Sequence, residues 1–245
     1  MDLKPRLTRD GELTQTPDGW HLEIPAGPAL RYRLSQLDDH PNIPRRNYPW
    51  QTPLKLSLRA RASAADLPGT WGFGFWNDPF GFSFGPGDVF LRLPALPNSI
   101  WFFHASKKNY LSFRDDKPAQ GFIAQAFSSP SFDPLLIAAG LGLPFSRRRI
   151  RPLLARVIGE DSAQINVDVT EWHEYRLEWS ETRSVFRVDD NLILETPVTP
   201  RAPLGMVIWI DNQYAAFTPQ GKLSLGFEKN PEGAWLEIKQ MVLGS

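Results

Sequence analysis

Between Thr70 and Arg92 the chain reads TWGFGFWNDPFGFSFGPGDVFLR, and the first part of that stretch sets the largest side chains against the smallest. Trp71, Phe73 and Phe75 fall on one face of an extended chain, with Gly72, Gly74 and Trp76 on the other. Period two is the mark of a β-strand. A strand with three rings on one side must bury that side. A face thinned by glycine lets another backbone or a ligand come close. Asn77-Asp78-Pro79 ends the strand, a glycine-spaced aromatic loop follows, and Gly87 to Leu93 is expected to run back as a second strand.

The same alternation recurs along most of the chain. Trp20 to Ile24 and Leu30 to Leu34 flank Pro25-Ala26-Gly27-Pro28, and Leu54 to Ala62 alternates cleanly with its leucines inward. Ile100 to Ser106, Tyr110 to Arg114 and Phe122 to Phe127 read as further strands. So do Trp172 to Trp179, Ser184 to Val188, Asn191 to Glu195, Gly205 to Ile210, Lys222 to Phe227 and Trp235 to Leu243. Asp189-Asp190-Asn191 has the residues of a tight hairpin turn. Many short strands punctuated by proline and glycine predict an all-β, two-sheet antiparallel sandwich or jelly roll. A length of 245 residues fits one such domain. Residues 133–160 (DPLLIAAGLGLPFSRRRIRPLLARVIGE) lose the alternation and read as a helical insertion, which Pro144 and Pro152 keep from being one long helix.

Composition narrows the function classes. Lys+Arg and Asp+Glu are both 27, so no net charge points to nucleic acid. There is no cysteine, which removes disulfides and thiolate chemistry. No apolar run approaches the roughly 20 residues that span a bilayer. The polar opening MDLKPRLTRDGELTQTPDGW lacks the apolar centre of a signal peptide, so a cytoplasmic location is expected. Nine tryptophans fit either a large sandwich core or a cleft lined with rings.

The C-terminal third carries a recognisable order. Trp172-His173-Glu174-Tyr175-Arg176-Leu177-Glu178-Trp179 leads into Val185-Phe186-Arg187-Val188-Asp189-Asp190, then Gly205 to Asn212, and finally Ala234 to Leu243. This order resembles the back half of a concanavalin A-like jelly roll, especially glycoside hydrolase family 16. The resemblance spans roughly Leu54 to Leu243 without the insertion. It implies a catalytic strand of pattern E-x-D-x-x-E or E-x-D-x-E after a glycine, since retaining glycosidases need two carboxyls about 5 Å apart. The matching stretch is Gly87 to Leu93: Asp88 falls at the nucleophile, Phe90 replaces the supporting aspartate, and Arg92 or Leu93 replaces the acid/base. The resemblance therefore implies a carbohydrate-related ligand in an aromatic concave cleft, without conventional glucanase hydrolysis.

Candidate site residues follow. Asp88, His104 and Asp211 are candidates for catalysis, and Trp76, Asn77, Asp78, Arg92, Trp209, Asn212 and Tyr214 for ligand binding. Asp88 and Arg92 share a face at a spacing of four, as an ion pair or as ligand contacts. Trp76-Asn77-Asp78 closes a strand where loops build clefts, or forms an Asx-type turn. His104 is a general base or a buried structural histidine. Ile210-Asp211-Asn212-Gln213-Tyr214 turns an apolar strand polar, as strand ends aimed at a ligand do. The expected pocket gathers Trp76, Asp88, Arg92, His104, Trp209 and Asp211, with His104 facing the cleft and Trp101 and Phe103 facing the core.

Asp38-Asp39-His40 could ligate a metal, but no second cluster stands at ligand spacing, so no metal site or cofactor is expected beyond a structural calcium on loop carboxylates. The insertion is a packed helical hairpin, a lid over an apolar ligand, or, over 135–158, a basic surface for anionic lipid. The lid defines the alternative function: a cytoplasmic enzyme or binding protein for a small apolar or aromatic molecule.

Overall fold

The computed structural model describes residues 2–79, 95–130 and 147–244. Two seven-stranded antiparallel sheets face each other. The first runs, edge to edge, β1 (Lys4–Leu7), β4 (Leu34–Asp38), β13 (Gly205–Asp211), β6 (Thr70–Trp76), β7 (Ser99–Ala105), β8 (Gly121–Ser128), β9 (Gly159–Gln164). The second runs β12 (Asn191–Thr196), β11 (Ser184–Val188), β10 (His173–Trp179), β5 (Leu54–Ala62), β16 (Ala234–Gly244), β3 (Gly19–Ile24), β2 (Glu12–Thr16). A hairpin of β14 (Gln213–Phe217) and β15 (Leu223–Phe227) stands apart, and α1 (Arg147–Val157) precedes β9.

Alternation explains the main core. Trp71, Phe73 and Phe75 of β6 meet Leu54, Leu56 and Leu58 of β5 and Tyr175, Leu177 and Trp179 of β10 in one buried cluster. Each such apolar side chain taken out of water contributes roughly 2–3 kcal/mol. The β11–β12 hairpin turns at Asp189 and Asp190, at φ of +47° and +66°, the left-handed pair that two-residue hairpins require.

The first sheet is apolar on its outer face too. Leu34, Trp101, Phe103, Ile123, Phe127, Val207 and Trp209 form a second buried cluster with Leu96 and Ile158, and Leu111, Phe113 and Leu154 pack on it. Leu154 and Ile158 come from α1 and the residue after it. Arg151 pins the helix down: it is 4 % exposed, donates to the carbonyls of Phe217 and Ser112 at 3.1 Å each, and pairs with Asp115 at 2.8 Å. Pro152 lies inside this 11-residue helix, and β9 already begins at Gly159, within the stretch expected to be inserted. Among the described residues no helix is long and apolar enough to cross a membrane.

Several expected strands shift. The strand sought at Leu30 to Leu34 runs instead from Leu34 to Asp38, where Ser35, Gln36 and Asp38 are buried by pairing with β1 and β13. Tyr110 to Arg114 is a loop with one bridge, Tyr110 to Ala216. Gly87 to Leu93 lies outside the described residues. Both edges of β6 are nevertheless taken, by β13 and β7, so the strand that returns along β6 is β7.

Candidate functional site

The outer face of the first sheet is built in rows. Trp209, Gly72 and Phe103 are cross-strand partners, as are Val207, Gly74 and Trp101, and Gly205, Trp76 and Ser99. The glycines admit rings from the neighbouring strands. A Cβ on Gly72 would lie 2.9 Å from Trp209 Cη2, and one on Gly74 would lie 2.7 Å from Trp101 Cβ. Trp76 stacks on Trp209 with centroids 6.3 Å apart and planes 5° apart, and Trp101 lies 5.5 Å from Trp209 and 5.9 Å from Trp76.

Each of these indoles hands its N–H to a buried polar chain. Trp209 Nε1 donates to Thr70 Oγ1 at 2.9 Å, and that hydroxyl donates to Asp211 Oδ1 at 2.7 Å. Asp211 also accepts from the Tyr32 hydroxyl at 3.1 Å and from the Thr70 and Gln213 N–H groups at 3.2 Å each. Burial pushes the Asp211 carboxyl up to about 7 against those hydrogen bonds, and burial followed by the Asp211 charge raises Tyr32 well above its ordinary range. Trp101 Nε1 donates to Gln125 Oε1 at 3.1 Å, and Gln125 Nε2 donates to Glu160 at 3.4 Å. Glu160, which accepts the Phe113 N–H at 2.8 Å, is also raised by burial. Trp76 Nε1 donates to His40 Nε2 at 3.2 Å.

Among the described residues three carboxyls stand on this face: Asp38 on β4, Asp211 on β13 and Glu160 on β9. Asp38 is paired with Val207, four residues from Asp211 along the strand, which is about 13 Å. Glu160 lies four strands from Asp211, about 19 Å away at the usual strand spacing. Paired-carboxyl glycosidases hold their acids about 5–5.5 Å apart when retaining and about 6.5–9.5 Å when inverting. None of these pairs qualifies. The outer positions of β7 beside β6 are Ser99, Trp101 and Phe103, with no acid among them.

Of the sequence-predicted site residues, Trp76, Trp209 and Asp211 come together here. Asp88 and Arg92 lie outside the described residues. The expected placement of His104 is corrected: its cross-strand partner is Trp71, so it lies between the sheets, 3 % exposed, with Trp101 and Phe103 outward. Burial favours turning two rings inward only where one face of the sheet is dry. With both faces covered, burial no longer favours turning the two rings inward. Burial lowers the His104 imidazole to about 4.

Asn77 is tied to the segment that leads into β7. Asn77 Nδ2 donates to the Leu96 carbonyl at 2.9 Å, its Oδ1 accepts the Asn98 N–H at 3.0 Å, and Asp78 takes a φ of +48°. Asn212 is 0 % exposed; its Oδ1 accepts the Arg33 N–H at 2.8 Å and its Nδ2 donates to the carbonyls of Arg31 at 3.0 Å and Glu228 at 2.8 Å. Tyr214 stands on β14 opposite Gly226, with Lys108 Nζ 5.8 Å from its ring. Among the described residues no group of three or more His, Cys, Asp or Glu side chains is arranged to hold a metal ion. Sequence reasoning passed over Tyr32, Thr70, Gln125 and Glu160.

Two seven-stranded sheets packed face to face, with an aromatic outer face on one of them, define a concanavalin A-like lectin/glucanase fold. The legume lectin-like domain from Entamoeba histolytica superposes with a TM-score of 0.51 at 10 % identity, covering 100 % of this chain and 89 % of that one. LamAcat from Zobellia galactanivorans gives 0.51 at 15 % identity, over 99 % and 90 %. Likeness at these identities is likeness of fold. No family model and no curated protein matches the sequence.

Proposed function

We propose that this protein binds carbohydrate at the outer face of its first sheet and does not cleave it by a paired-carboxyl mechanism. One observation carries the reading: Trp76, a partly buried indole, stands at the edge of a three-indole cluster on that face, and the acids among the described residues of the face are too far apart to act as a pair and are each engaged by the protein itself. Asp38, for its part, accepts from Gln36 Nε2 at 2.7 Å and from the His40 N–H at 3.3 Å. A flat indole offers apolar area to the C–H face of a sugar, while buried polar groups keep it oriented. Trp76 is the one of the three that is only partly buried, so it is the ring a sugar meets first.

The test is a glycan array followed by calorimetry on the best neutral glycans, with reducing ends measured on the same samples. Binding without release of reducing ends is expected, and Trp76→Ala lowers affinity about tenfold, the scale of one lost stacking contact. Release of reducing ends that disappears in Asp211→Asn or Asp88→Asn overturns the proposal. So does binding to no glycan at all.

A further inference from the structure

An indole N–H donates and does not accept, so the 3.2 Å contact from Trp76 Nε1 requires a lone pair on His40 Nε2. The ring's single proton then sits on Nδ1, 3.2 Å from Asp39 Oδ1. Asp39 is fixed in turn. Its Oδ1 accepts the Met206 N–H at 2.9 Å and its Oδ2 accepts the Trp50 indole. His40 is 1 % exposed, its ring centroid 4.5 Å from that of Tyr48. It also fills the space beside Gly205, where an added Cβ would fall 2.2 Å from Nδ1. Burial and Asp39 thus fix both the tautomer and the ring orientation, with Nε2 toward the Trp76 indole.

We propose that Asp39 and His40 are positioning residues that hold the Trp76 indole parallel to Trp209 as the platform on which a sugar ring stacks; the platform's use rests on the carbohydrate-binding reading above. Trp76 ends β6 and is only partly buried, so packing alone does not lock its ring. Removing the acceptor at His40 Nε2 takes this partner from the indole N–H. The contacts of His40 include Asp38 at its backbone N–H, Asp39 at Nδ1, Tyr48 against the ring and Trp76 at Nε2. Arg45, from the same loop as Tyr48, donates to the carbonyls of Asn77 and Asp78.

The experiment follows the indole N–H resonances of the whole protein by NMR, with Trp76 identified by the peak lost in Trp76→Phe. In wild type its N–H is expected to be protected from hydrogen exchange. His40→Phe loses that protection. His40→Gln, whose amide oxygen still accepts, restores it at least in part. Protection unchanged in His40→Phe, or no restoration in His40→Gln, overturns the proposal. These readouts need no glycan. If they hold while no glycan binds, the positioning role stands and the carbohydrate reading falls. If glycan affinity drops several-fold in His40→Phe and less in His40→Gln, both hold.

Discussion

His104 lies flat against Trp71, their ring centroids 5.4 Å apart and planes 9° apart, sealed between the two sheets. Neither His104 Nδ1 nor Trp71 Nε1 has a hydrogen-bond partner among the described residues. A second titratable group, Asp211, is buried on the opposite face of the same sheet. The two are displaced in opposite directions, His104 to about 4 and Asp211 to about 7, each chiefly by burial.

For His104 the folded pKa is depressed from 6.5. Its stabilising effect is whole above 6.5 and is lost as pH falls toward 4, because the unfolded chain takes up the proton first. The full shift corresponds to about 3 kcal/mol. His104→Phe is expected to gain stability relative to wild type between pH 7 and pH 4.5, read from urea midpoints at both. An equal change in the two proteins would place the acid sensitivity elsewhere.

For Asp211 the folded pKa is raised from 3.8. Its contribution is whole below 3.8 and is lost as pH rises through 7. Asp211→Asn is therefore expected to shift the wild-type profile the opposite way, gaining stability relative to wild type from pH 5 to pH 8. Wild type carries both terms, which oppose each other between about 4 and 6.5. A wild-type profile flatter there than that of either variant is the expected sign of the pair. Parallel profiles in wild type and Asp211→Asn would show that the carboxyl titrates normally.

Gly72→Ala tests whether the outer face is packed. The new Cβ would fall 2.9 Å from Trp209 Cη2 and 2.4 Å from the Phe102 carbonyl oxygen. Strand and ring must both shift, at about 1–3 kcal/mol. A variant as stable as wild type by chemical denaturation would mean that Trp209 is free to move.

Arg151→Ala tests the attachment of α1. It leaves the carbonyls of Ser112 and Phe217 without this donor and Asp115 without its guanidinium. Asp115 is exposed, so the main cost is the charge-assisted hydrogen bonds to the two carbonyls, on the order of 1.5–3 kcal/mol. The expected result is a lower denaturation midpoint and tryptophan emission shifted to the red as the cover over Trp101 and Trp209 loosens. Unchanged emission would separate the helix from the aromatic cluster.

Local pattern alone determined that Trp71, Phe73, Phe75 and the leucines of β5 face one core, because alternation needs no knowledge of partners. It also fixed the Asp189–Asp190 hairpin, whose left-handed backbone is a local demand. Which way β7 turns was beyond it: Ile100 to Phe103 is apolar at every position, so alternation says nothing until pairing with β6 sets Trp71 opposite His104. Pairing itself is non-local, which is why β7 was not recognised as the strand that returns along β6. The contact between His40 and Trp76 spans 36 residues. The cover over the outer face comes from loops and α1: Leu111 and Phe113 alternate without forming a strand, and α1 has no period-two signal. Tertiary structure alone decided that the glycines of β6 make room for the protein's own indoles, because only packing shows which side chains come to fill a space that glycine leaves open.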